Sequence, residues 1–470
     1  MKTRIMLLIL LALVLTLMPV AAQDEAPLFP VTFPDEIADG EPVTITVAAA
    51  IGDDQVEIRA QWDAQIERFQ ELYPNVTVET VIYGFSADTF AALVAGGELP
   101  TLFEVPFTEP QKLIRQGIPA NLTPLLEEFG ITGLYNDTVM AIMSDADGNA
   151  YGMPGFAYAL GLAYNIPALA DAGYDAPPAT WEDLATMAAE LTVRDVGYSG
   201  FGMNMQGGGG GWHFTNVAYG FGADIIRDNG DGTYTATFGE GPAVDAMQFL
   251  RDLKWEHDAM PLDLDSNPTL ILLEETGAMS IQGGDSLGWM RLNAEGWAEG
   301  AYADTFDLAD FGFAAMPAGP DGGRYALSGG TARMINSAAT PAQQEAAFVY
   351  QIWKEFSMGE LVLTREIFHS TQAGQGAPVL PILAGEYQEA MDAVDAAYIT
   401  MPVENYTQFL DAVATGELVL VPEPVVAAQD VYVALGEVLS QVLSDQDADV
   451  SALMAAAAET FQTGILDTLN

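Results

Sequence analysis

An uncharged run, Phe156-Ala-Tyr-Ala-Leu-Gly-Leu-Ala-Tyr164, limits most what this chain can fold into. It is long for a surface loop and carries no helical cap, so it reads as a buried strand. A polar turn (Asp147, Gly148, Asn149) and Tyr151-Gly-Met-Pro154 lead into it. Asn165-Ile-Pro167 closes it, and Pro167 suits the first turn of a short helix that Gly173 stops. Thr180 followed by Asp183 resembles a capping box for a helix from Trp181 to Leu191. The reading places residues 152–164 as a crossover between two lobes. Residues 152–155 are its flexible preface, and a ligand sits beside it.

The flanking segments alternate between strand and helix. Residues 42–50 form a strand. The helix after it carries Ile58, Trp62, Ile66 and Phe69 at helical spacing, a core face. A second strand covers 76–83 and a second helix 86–95, stopped by Gly96-Gly97. A third short strand begins at Leu102-Phe103. Strand–helix–strand–helix–strand predicts an open α/β sheet whose ligands meet the loops at the carboxyl ends of the strands. Residues 52–54, 83–85 and 104–108 are those loops. Further strands are expected at 276–281, 311–317 and 325–335, the last interrupted by Gly329-Gly330. Thr340 and Pro341 start a helix to Phe356, and two long helices end the chain. Residues 207–211, all glycine, lack the Lys-Ser/Thr of a phosphate loop and read as a mobile loop before Trp212.

At 470 residues the chain exceeds what one core usually supports, which suggests two domains. Lys2, Arg4 and the apolar run 5–20 before Ala21-Ala22 read as a secretory signal peptide (1–22), so the mature protein works outside the cytoplasm. Residues 23–41, rich in proline and acid, read as a tether. There is no cysteine, which excludes thiolate zinc sites and cysteine nucleophiles. Sixty-six acidic against 15 basic residues give a formal charge of −51, a field that disfavours nucleic acid and anionic membranes. The acids form a solubilising surface, with salt adaptation or attraction of cations as sharper alternatives. No nucleophile elbow, zinc motif or cofactor motif occurs. The three histidines are far apart, and the 145–149 turn lacks the later glutamate of a calcium loop.

Several segments together resemble one family. They are Arg68-Phe-Gln-Glu-Leu-Tyr-Pro-Asn-Val-Thr-Val78, Ala95-Gly-Gly-Glu-Leu-Pro-Thr-Leu-Phe103, the stretch through Leu184, Gly277-Ala-Met-Ser-Ile281, the Pro317-Ala-Gly-Pro320 turn, and Gly329-Gly330 before the Pro341 helix. In this order and spacing the chain resembles the extracellular solute-binding proteins of ABC importers, the carbohydrate-type family that includes maltose-binding protein. The resemblance implies an α/β, two-lobe periplasmic-binding-protein fold of class II type, with discontinuous lobes joined by crossover hinge strands. The implied hinges are 153–157, 327–331 and 375–378, each marked by Gly or Pro. Lobe 1 would be 42–154 plus 330–375, and lobe 2 would be 156–328 plus 376–470. The implied function is capture of a sugar or oligosaccharide by hinge closure and delivery to ABC permease subunits. The protein would be a monomer with no cofactor and no metal. Two departures stand out: no lipobox cysteine follows the signal, and Gly284-Asp285-Ser286 replaces the aromatic that relatives often place after the Gly-Ala-Met strand.

A sugar site combines carboxylates and amides with aromatic rings. The candidate ligand residues are Asp53, Asp54, Glu104, Phe107, Phe156, Tyr158, Trp212, Asp285, Gly330 and Thr331. Asp53 and Asp54 serve equally well as helix N-caps, and Phe156 as core. The acidic bias and Asp285 keep a cationic or amino-sugar solute open. A secreted glycoside hydrolase and a receptor-feeding sensor are the rival readings.

Overall fold

The computed structural model describes residues 28–51, 56–288, 290, 307–370 and 376–469. The expected signal peptide, Asp53, Asp54 and Gln375 lie outside these residues.

The first three strands follow the sequence pattern. β1 (Val43–Ala49), β2 (Val76–Ile82) and β3 (Leu102–Pro106) run parallel, with helices Val56–Leu72 and Ala87–Gly96 between them. Ser86 caps the second of these helices and left-handed Gly97 ends it. β4 (Met153–Asn165) and β10 (Arg324–Ile335) are antiparallel partners at the centre of a mixed sheet of order β2-β1-β3-β10-β4-β8-β5. Here β5 is Ser199–Gly202 and β8 is Gly277–Gly283; β9 (Phe311–Ala314) joins β4, and β11 (Leu418–Pro422) joins β10. A separate ribbon holds β6 (Ile226–Asp228) and β7 (Tyr234–Ala236).

β4 and β10 pass between two cores. The Ile335 end of β10 lies beside β3 and its Arg324 end beside β11. β4 pairs with β10 from Met153 to Ala159, then with β8 from Leu160 to Tyr164. One core gathers Phe69, Leu102, Met153, Tyr350 and Trp353. The other gathers Leu160, Leu162, Trp181, Phe214, Phe313 and Leu439. Leu160, Leu162 and Ala163 are fully buried, as an uncharged run requires. The Thr180–Asp183 capping box forms as the sequence predicts.

Four expectations need correction. Residues 152–155 are not a loose preface: Met153 and Pro154 already pair with Arg333 and Ala332. Gly155 is the extra residue of a bulge there, and a side chain on it would meet Thr331 Oγ1 at 2.5 Å. The glycine run is not a loop either, since Gly207–Gly220 is one helix. A Cβ on Gly211 would lie 1.8 Å from the Tyr432 carbonyl oxygen, and one on Gly436 would lie 1.8 Å from that of Gly207. Glycine is therefore needed where this helix presses on helix Ala428–Ser444. The described part of the 23–41 segment is bound rather than free. Phe29 and Ile37 enter the first core, the Phe29 ring 5.3 Å from Phe356, and Asn75 Nδ2 donates to the Ile37 carbonyl. Finally, helix Gly385–Asp395, expected in the second lobe, packs Tyr387, Met391 and Val394 on the first core, and Arg365 pairs with Asp395 at 2.5 Å.

Candidate functional site

The carboxyl ends of β1, β2 and β3 open on a cavity of about 450 Å3. Glu104, Thr331 and Arg333 line it from the sheet, Tyr83 and Phe85 from the loop after β2, and Gln351 and Lys354 from helix Pro341–Phe356. Glu104 accepts an ion pair from Arg333 Nε at 3.3 Å, and Arg333 also pairs with Glu355. Glu355 in turn accepts from Tyr135 Oη at 3.1 Å. The carboxylate expected to meet ligand is thus already half engaged in holding the cavity floor.

Across the β4–β10 ladder lies an aromatic chain. Phe156 pairs with Thr331, which joins the chain to the first-lobe cavity. The Phe156 and Tyr158 rings are 5.9 Å apart, and Tyr158 meets Trp212 edge-on at 6.0 Å. These are favourable aromatic geometries. Trp212 sits in the second turn of its helix, half-buried against the second core and stacked on His213 at 4.8 Å. A rigid helix therefore positions it, and no glycine loop is involved. His213 is a structural residue: its Nδ1 accepts from Asn204 N at 3.0 Å, and burial pushes its pKa down to about 3, so it is neutral.

After burial, two carboxyl groups raise the pKa of Tyr158. Asp285 follows β8, and burial raises its pKa. Glu423, just past β11, accepts from Tyr432 Oη at 3.1 Å through Oε1, while its buried Oε2 has no partner among the described residues. Burial pushes the Glu423 carboxyl up to about 7, against the lowering effect of the Tyr432 hydrogen bond. Burial, then Glu423 and Asp285, hold the Tyr158 hydroxyl well above the usual phenol range. A side chain at Gly329 would lie 2.7 Å from Tyr158 Oη and 2.9 Å from Glu423 Oε2, so both polar tips converge on bare backbone.

The candidate residues divide. Glu104 and Thr331 share the first-lobe cavity; Phe156, Tyr158 and Trp212 form the aromatic chain, with Asp285 beside it. Gly330 and Phe107 pack against each other. The Gly330 carbonyl accepts from Phe107 N at 2.9 Å, and a Cβ on Gly330 would strike the Phe107 ring at 2.4 Å. Phe107 borders a second, mostly apolar cavity of about 530 Å3 with Ala157, Leu380 and Val425, and Gly329 and Glu423 line it too. Thr108 Oγ1 there accepts from Gln429 Nε2 at 3.1 Å, a contact from the second-lobe helix Ala428–Ser444 to the loop after β3.

Sequence reading missed Glu423, Tyr432, Arg333, Gln351 and Lys354. Glu423 follows a short alternating strand, Leu418–Pro422, which was the available signal. Gln351 and Lys354 lie on an ordinary amphipathic helix and give none. The 145–149 turn is self-satisfied: Asp145 accepts from Asp147 N, Asn149 N and Tyr151 Oη. Among the described residues no cluster of His, Asp and Glu suits a metal ion.

Two α/β lobes joined by paired crossover strands, with cavities beside those strands, are the architecture of a two-lobe binding protein. The family profile "Bacterial extracellular solute-binding protein" matches residues 52–350, and the chain belongs to that family. A curated relative, a probable ABC transporter-binding protein from Deinococcus radiodurans, is 27% identical over 214 residues. That match covers 43% of this chain and 47% of the relative, so the chain spans about half the length of that relative. Three solved structures share the fold. An ABC substrate-binding protein from Listeria monocytogenes in complex with cycloalternan has a TM-score of 0.69 at 17% identity, over 90% of this chain and 99% of that one. Maltose-bound MalE3 of T. maritima has 0.68 at 20%, over 90% and 100%. UgpB from Mycobacterium tuberculosis, in complex with glycerophosphocholine, has 0.68 at 20%, over 91% and 100%. No helix among the described residues is long and apolar enough to cross a membrane.

Proposed function

We propose that this protein captures a sugar or oligosaccharide outside the cytoplasmic membrane, by closure of its two lobes, and hands it to the permease of an ABC importer. The observation that carries the reading is the aromatic chain Phe156–Tyr158–Trp212 with Glu423 and Asp285 beside it. Rings cover the weakly apolar faces of a sugar, and carboxyl groups take its hydroxyls. The sugars bound by the Listeria and Thermotoga proteins of the same fold support the ligand class. The signal peptide read at 1–22 supports export, and a monomer suffices for capture. The working hinges are β4 around the Gly155 bulge, β10 around Gly329, and the segment that bridges Leu380 to Ala157.

A thermal-shift screen across neutral, acidic and amino sugars tests the proposal, since a ligand of the folded state raises Tm. Sugars are expected to shift it. If only non-sugar cations do so, the sugar reading fails. Trp212→Ala is expected to weaken the sugar found by tenfold or more while leaving Tm within a few degrees. An unchanged Kd removes Trp212 from the site.

A further inference from the structure

We infer that the first-lobe cavity receives an anionic oxygen group of the solute, a carboxylate or a phosphate, which Lys354 meets together with Gln351, Thr331 and Tyr83. The inference rests on the solute-capture reading and narrows its ligand to acidic sugars.

The cavity, about 450 Å3, falls within the range of small-ligand pockets, roughly 300–1,000 Å3. Its wall concentrates unmet hydrogen-bonding capacity. Tyr83 Oη, Thr331 Oγ1 and both Oε1 and Nε2 of Gln351 are buried without a partner among the described residues. Native interiors keep few such atoms, and a group of them around one cavity marks a place for a polar occupant. Three of these side chains can donate, through hydroxyl or amide hydrogens, to an acceptor-rich group.

Lys354 supplies the charge. Its Nζ stands 5.1 Å over the Trp62 ring and 6.0 Å from that of Tyr350, contacts that leave its donors free to point at a ligand. Among the described residues it makes no ion pair. Arg333 is not equivalent, because Glu104 and Glu355 already hold it. Burial, and after it the positive Arg333, lowers Lys354 to a pKa of about 8, and an anion alongside would restore it. The acidity of the whole molecule does not forbid this. Arg333 and Lys354 balance Glu104 and Glu355, and the field of more distant carboxylates is screened beyond roughly 8 Å at physiological ionic strength.

The test is calorimetry at pH 7 with the exported chain, using a neutral disaccharide, the matching uronate disaccharide and the matching sugar phosphate. At least one acidic ligand is expected to bind tenfold or more tightly than the neutral one, and which one does so separates carboxylate from phosphate. Lys354→Met is expected to weaken the acidic ligand at least tenfold more than the neutral one and so remove that preference; Lys354→Arg should keep most of it. Equal or tighter binding of the neutral sugar by the unaltered protein overturns the inference and leaves the sugar reading standing. So does an acidic preference that survives Lys354→Met. If no sugar binds, inorganic phosphate decides: a rise in Tm for the unaltered protein but not for Lys354→Met keeps the anion site and discards the sugar reading. No rise in either discards both.

Discussion

Glu423 shows how one buried carboxyl ties the site to stability. Its usual carboxylate pKa of 4.5 is raised to about 7 in the fold, chiefly by burial. The folded chain therefore holds this proton to higher pH than the unfolded chain does. Its contribution to stability is complete below about 4.5 and is lost as pH rises through about 7. At about 1.4 kcal/mol per unit, the loss is at most on the order of 3 kcal/mol. Glu423→Gln cannot titrate, so its stability relative to the unaltered protein should rise between pH 5 and 8, measured by urea unfolding; a flat difference would mean that Glu423 is solvated. Glu360 is a buried carboxylate held by a cation. Its side chain is 2% exposed, and Arg68 donates to both of its oxygens, at 2.8 and 2.6 Å. Removing the partner leaves a buried charge, so Arg68→Ala should cost about 3–5 kcal/mol and Glu360→Gln distinctly less.

At the scale of elements, the contact between helices Gly207–Gly220 and Ala428–Ser444 decides where Trp212 stands. A methyl on Gly211 cannot fit 1.8 Å from a carbonyl oxygen, so Gly211→Ala should force the helices apart and cost about 1–3 kcal/mol or more. It should also weaken solute binding. Gly208 is the control one turn earlier. Its nearest neighbour to an added Cβ is Val433 Cγ2 at 3.9 Å, so Gly208→Ala should be neutral or stabilise by up to about 1 kcal/mol. Thermal melts of the two variants compare them directly; similar losses would show that helix propensity, not close approach, explains the run. The sequence made the glycines visible but pointed to a loop, because glycine is a poor helix former and its value here lies in a partner 225 residues or so further on.

For the whole molecule, 66 acidic against 15 basic residues must repel one another in the folded state. Screening weakens that repulsion, so Tm should climb as sodium chloride rises from about 0.05 to 1 M. A Tm that falls or stays level would mean that the ion pairs outweigh the repulsion. Lobe closure should appear as a decrease in the solution radius of gyration when solute is added, with Gly155→Ala blunting it by crowding Thr331 at the bulge.

Local pattern was enough for the elements whose cause is local. The uncharged run became β4, the 42–103 alternation became β1 to β3 with their helices, and the Thr180 and Thr340 caps form where they were read. Periodicity and capping act within a few residues, so a sequence displays them. Phe156 and Tyr158 were visible as rings on the crossover strand, whereas the nearness of Trp212 to Tyr158 depends on where a separate helix packs. Which face of the sheet Gly330 presents depends on the β4–β10 register, and Phe107 meets it only through the fold, so neither placement shows in the sequence. Phe29, Ile37 and helix Gly385–Asp395 joined the first core through partners far away in the chain. Lys354, Gln351 and Glu423 came to the site the same way. Their chemistry depends on burial and on neighbours supplied by other elements, and these arise only when the lobes fold.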